Sequence, residues 1–171
     1  VCALVGAVPA ARAVNLVQEF YLPMPEQQIY QANSAIIGGT GNVNFSTFSI
    51  VITGDGTVIH YDQWEDGYEV NLGTPTQATT QIWGDGNDAN GIPPGMAHDP
   101  SGLTTGTVIT LTNNVPLPRN PSVLLWDARD RVAASKALVI SRAAWPVNPG
   151  PVFAGGAGVL STIDYGTNYI S

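Results

Sequence analysis

Apolar residues in this chain come in short runs, with Gly, Pro, Asn and Asp between them. Val and Ile dominate the runs, and polar residues interleave with a period of two. That is the pattern of half-buried strands. VNFSTFSIVIT (43–53) alternates at Val43, Phe45 and Thr47 and then turns wholly apolar. GTVITLTN (106–113), SVLLWD (122–127), RVAAS (131–135) and KALVISRA (136–143) also predict strands. So do NLVQEFYLPMP (15–25), TVIHYDQW (57–64), VLSTI (159–163) and TNYIS (167–171). GDG at 54–56 predicts a tight hairpin that returns the chain into 57–64. GYEVNL (67–72) and TQATTQIW (76–83) predict a further pair, turned at Gly73-Thr74-Pro75. No segment carries a clear 3.6-residue stripe. About ten to eleven short strands at this spacing predict an all-β fold, an antiparallel β-sandwich-like domain over 14–171. One long loop, 84–106, interrupts it. Loops of that length are usually functional or mobile.

Composition sharpens this picture. The 171 residues are 44% hydrophobic and only 11% charged, enough for a core without disulfides. Net charge is −7, and no Lys or Arg stands between Arg12 and Arg119. Nucleic acid and anionic membrane surfaces need basic patches, so neither is expected as a partner. VCALVGAV followed by PAARA, with Ala11 and Ala13 at signal-peptidase spacing, marks 1–13 as a secretory signal-peptide remnant. Its apolar run is too short to span a membrane, so no insertion of the mature domain is expected. Cys2 leaves with the peptide, which suits a bacterial exported protein. With no initiator Met and a last strand cut short at Ser171, we expect a piece of a longer chain.

The densest chemistry is HYDQWEDGYEV (60–70). Strand alternation puts His60, Asp62 and Trp64 on one face, and Asp66-Gly67 predicts a turn. Asp62 with Glu65 or Asp66 forms the plausible close pair. Three readings stand: a decorated hairpin, a Ca²⁺ site built from Asp62, Glu65 and Asp66, or a glycosidase pair with Trp64 stacking on a sugar. In the long loop, Asp85, Asn87 and Asp88 (with Asn90) offer a loose Ca²⁺ loop. It is no EF-hand, since Ala89 and Met96 stand at ligand positions. Trp64 and Trp83 are the stacking candidates, and Ca²⁺ is the only cofactor suggested. No G-x-S-x-G elbow and no zinc spacing occur. In WDARDRV (126–132), Asp127, Arg129, Asp130 and Arg131 predict exposed ion pairs of little worth.

Together VIHYDQWEDGYEVNL, TTQIWGDGNDANGIPPG, NVPLPRNP, RDRVAASKALVISRAAWP and DYGTNY resemble N-terminal regions of large exported bacterial surface proteins of the SdrD B-like, repeat-containing type. The later part is distantly similar to β-modules of IgGFc-binding-type domains. The resemblance implies a secreted or cell-surface, non-enzymatic structural or adhesive module. Its partners would be other domains of the same chain, or a surface glycan or protein ligand. The alternative is a carbohydrate-active domain, a lectin-like binder or a glycoside hydrolase using Asp62 with Glu65 or Asp66.

Overall fold

The structure, a computed structural model, describes residues 14–37, 42–148, 150 and 154–164. In chain order these form β1 (Gln18–Tyr21), the helix α1 (Glu26–Ile37), β2 (Val43–Ile52), β3 (Ile59–Asp62), β4 (Gln81–Trp83), β5 (Val108–Pro116), β6 (Arg131–Ala134), β7 (Leu138–Pro146) and β8 (Gly155–Val159). The strands make two antiparallel sheets, ordered β1-β6-β3-β4 and β5-β2-β7-β8. Their apolar faces share one core. Phe48, Ile50 and Ile52 of β2, Ile109 and Leu111 of β5, and Ile140 of β7 meet Phe20, Ile59, Tyr61, Trp83 and Val132 from the other sheet. Alternation fixes the register: Ile50 stands opposite Ile109 on one side and Ile140 on the other.

The expected β-sandwich-like class stands, with eight strands among the described residues instead of ten or eleven. Each difference has a local cause. The bend at Gly54–Gly56 closes no hairpin, because β2 and β3 lie in different sheets. Gly56 and Thr57 instead donate to the Leu103 carbonyl, so the bend carries the chain from one sheet to the other.

The run 67–80 forms no ladder, because carboxylates take its amides. Asp62 accepts from Glu69 N at 3.0 Å, and Glu69 accepts from Thr76 N and Gln77 N at 2.6 and 2.5 Å. Only the last three residues of the predicted strand, β4, pair with β3. The run 122–127 is likewise irregular, since Leu125 N donates to the Glu65 side chain. Near the end, β8 stops at Val159, and Thr162–Asp164 form a short 3₁₀ turn.

The helix α1 was not expected. Pro25 opens it by accepting from Gln28 N and Ile29 N. Its inner face buries Glu26 and Ile29, a carboxylate and a single large apolar side chain, so no apolar stripe betrays it. The expected signal remnant at 1–13 and strand at 167–171 lie outside the described residues.

Candidate functional site

Polar residues intrude on the sandwich core at one end. In β2 the inward positions run Asn44, Ser46, Phe48, Ile50, Ile52, and in β7 they run Leu138, Ile140, Arg142, Ala144. Asn44, Ser46 and Arg142 are buried there with Glu26. Arg142 Nη2 lies 2.5 Å from Glu26 Oε1, Ser46 Oγ donates to the same oxygen at 2.8 Å, and Asn44 Nδ2 donates to the Glu26 carbonyl at 2.7 Å. Glu26 also accepts from Ala128 N at 3.1 Å, which ties the helix to the segment before β6.

That segment supplies two more buried carboxylates. Asp127 accepts from Arg119 Nε at 2.5 Å and from Trp64 Nε1 at 2.8 Å. Asp130 accepts from Tyr61 Oη at 2.6 Å and from Asp127 N at 3.2 Å. Arg119 reaches past Asp127 to Glu65, whose side chain is 1% exposed. Four carboxylates thus share this end of the core with two guanidiniums, Arg119 and Arg142. Two negative charges are uncompensated if all ionise, and burial makes that costly. Burial accordingly pushes Asp127 up to about 6, against the Arg119 hydrogen bond, with Glu26 adding to the rise. Burial also pushes Asp130 well above the usual carboxylate range, against the Tyr61 hydrogen bond. Asp127 and Asp130 were expected as exposed ion-pair members. They are almost completely buried, because this segment runs under Trp64 and the start of the helix. The free space among Glu26, Trp64, Arg119 and Asp127 is about 10 Å³, room for roughly one water and no more.

The residues marked out by sequence fall elsewhere. His60 and Asp62 share the outer face of β3, as alternation demands, but 67–80 covers them. His60 Nδ1 lies 2.6 Å from the Leu72 carbonyl, which only accepts, so Nδ1 carries the proton. Burial holds its pKa below the ordinary value. Asp62, fully buried, sits 3.8 Å from Arg131 Nη1. Burial pushes its pKa up, against the Glu69 amide and Arg131. Trp64, Glu65 and Asp66 leave the strand in a 3₁₀ turn. Glu65 turns to Arg119, and exposed Asp66 accepts from Thr79 Oγ1 at 2.7 Å. Asp62, Glu65 and Asp66 therefore face three different sets of partners. Trp64 is half-buried, its ring flanked by the Arg129 and Arg119 guanidiniums at 4.7 and 5.5 Å. Trp83 is completely buried, stacked on Tyr61 at 5.2 Å between centroids, with no face left for a ligand.

The long loop is organised by a residue not singled out beforehand, Asp99. Its buried carboxylate accepts from four successive amides, Gly84, Asp85, Gly86 and Asn87, at 2.6, 2.9, 2.7 and 3.3 Å. Asp88 returns the favour to Asp99 N at 2.6 Å. Asp85 is spent on Asn87 N and Asn90 Nδ2, and Asn87 Oδ1 on Ala89 N. Among the described residues, no three His, Cys, Asp or Glu side chains are grouped as around a metal ion. A concavity of about 650 Å³ lies beyond this clamp, against Trp126.

Comparison of the chain with protein-family models, with curated proteins and with solved structures found no match.

Proposed function

We propose that this chain is a non-catalytic, extracellular structural or adhesive β-module of a larger secreted or cell-surface protein. One observation carries the non-catalytic part. The carboxylates Glu26, Glu65, Asp127 and Asp130 are buried together at one end of the core, and the void among Glu26, Trp64, Arg119 and Asp127 is about 10 Å³, too small for a substrate. Catalytic acids and bases must reach a substrate proton at hydrogen-bond distance. Buried groups that bridge the helix, both sheets and the 117–130 segment act as a lock instead. The extracellular part rests on the apolar run with its Ala11 and Ala13 spacing and on the resemblance to exported surface proteins. The absence among the described residues of any helix long and apolar enough to cross a membrane is compatible with it.

The test has two arms. Protease shaving of intact source cells should release peptides of this chain; recovery only after lysis overturns the location. The folded protein, incubated with soluble polysaccharides, should release no reducing ends; release abolished by Asp62→Asn would restore the hydrolase reading.

A further inference from the structure

We propose that the outer face of the β5-β2-β7-β8 sheet is a self-association surface, on which a second copy of this chain packs face to face. Such pairing is independent of where the protein resides and of whether it is catalytic.

The outward positions lie in register across the strands. At one end Val51 stands between Val108 and Val139. Ser49 then stands between Thr110 and Ser141, and Thr47 between Thr112 and Ala143. At the other end Phe45 faces Asn114 and Trp145, and stacks on the Trp145 ring at 4.5 Å between centroids. β8 adds Gly156 and Gly158, without side chains. None of these positions is charged. Val108, Thr110, Thr112, Val139 and Ser141 are exposed, so no described element covers the middle of the face. The solvated face of an antiparallel sheet is ordinarily polar, and charge on it helps keep copies apart. Beyond the valine row the next charges on β2 and β7 are Asp55 and Lys136. These are opposite in sign and joined, since Lys136 Nζ donates to the Asp55 carbonyl.

Charge, pattern and area all select a second copy as the occupant. A chain of net charge −7 repels itself wherever its carboxylates are exposed, so two copies approach most easily on a face that has none. The pattern is self-complementary. Either two-fold axis lying in the plane of the face sets an apolar end on an apolar end and hydroxyl rows on hydroxyl rows. Small side chains keep the middle level enough for two sheets to stack about 10 Å apart. Four strands at about 4.8 Å, the longest of ten residues at about 3.3 Å each, give a face of roughly 500–600 Å². A pair then buries roughly 1,000–1,200 Å², the size of a weak, reversible interface.

Sedimentation velocity of the intact protein from about 1 to about 300 µM should show a reversible monomer–dimer equilibrium, with a dissociation constant in roughly the micromolar range. Thr110→Glu and Ser141→Glu put like charges into the middle of the face, and each should raise that constant at least about tenfold. Val70→Glu, fully exposed on the other sheet's covering segment, should leave it unchanged. If either face variant fails to melt cooperatively, Thr112→Lys replaces it, with the same weakening expected. Salt separates this face from a pairing of the basic residues of 119–142 with the acidic loop 84–106 of another copy. Raising sodium chloride from about 50 mM to about 1 M should tighten the proposed dimer, because it screens one negative chain from the other; an ion-paired interface would loosen. A monomer at every concentration, a dimer indifferent to charges on the face, or one that loosens with salt overturns the proposal.

Discussion

Arg142 occupies an inward position between Ile140 and Ala144, where every rule of strand patterning asks for an apolar side chain. It is tolerated because Glu26 and the Pro23 and Met24 carbonyls receive its guanidinium. Removing one member of such a pair strands the other in the core. Arg142→Ala should therefore cost about 3–5 kcal/mol in denaturant unfolding. Glu19→Ala should cost no more than about 1 kcal/mol, since the Glu19–Arg131 pair at 2.8 Å is partly exposed. Equal costs would refute the lock. Asp127 gives a pH signature. Its folded pKa of about 6 exceeds its ordinary value of 3.8, so its contribution to stability is full below about 3.8 and is lost as pH rises through about 6. The loss is at most about 2–3 kcal/mol. His60, whose pKa is lowered, works in the opposite direction, so the variant comparison isolates the effect. The stability advantage of wild type over Asp127→Asn should shrink between pH 4 and 6.5; a flat difference would contradict it. Arg142 was not singled out from sequence, where it is one charge at the end of the apolar strand KALVISRA. Asp127 and Asp130 were not legible as core residues, because clustered charges near a turn look alike whether they face water or the core.

Elements here are stopped and held by side chains as much as by ladders. Glu69 and Asp62 hold 67–80 out of the sheet, and Asp99 gathers the amides of 84–87. Strand propensity cannot foresee either, since a carboxylate competing for backbone donors leaves no period in the sequence. Asp99→Ala should leave four amides without their acceptor. Hydrogen exchange at 84–87 should rise well above that of β2, while β2 itself stays protected. Uniform protection would mean the clamp is dispensable. Gly84 is a second pinning point: at φ 89°, an added Cβ would lie 2.4 Å from the Thr57 carbonyl. Gly84→Ala should destabilise by more than the about 1 kcal/mol expected of a glycine replacement tolerated by its backbone. The helix α1 stayed hidden for the converse reason, since what it contributes to the core is chiefly Glu26.

At the scale of the molecule, the short alternating runs were enough to define the class, but not the core face of β2, where Val43, Phe45 and Thr47 lie outward and Asn44 and Ser46 point in. Strand order was not legible, because short runs carry no label for their partner, and an Asp-Gly bend suits a crossover as well as a hairpin. Calcium is a whole-molecule question too. Asp85, Asp88 and Glu69 already accept N–H donors, which a cation would have to displace. The melting temperature should be the same in chelator and in millimolar calcium; a rise with calcium would reverse this expectation.

The sheet order has a consequence in time. Among the described residues β1 pairs only with β6, Gln18 opposite Ala134. A chain synthesised or threaded across a membrane from its N-terminus must wait until residue 134 has emerged before β1 finds its neighbour. Until then its backbone groups belong to water or to a chaperone. Joining segments so far apart is slow, and refolding from denaturant should take roughly milliseconds to seconds. β1 is thus placed only after β6, and without it β6 would become a bare edge open to another chain.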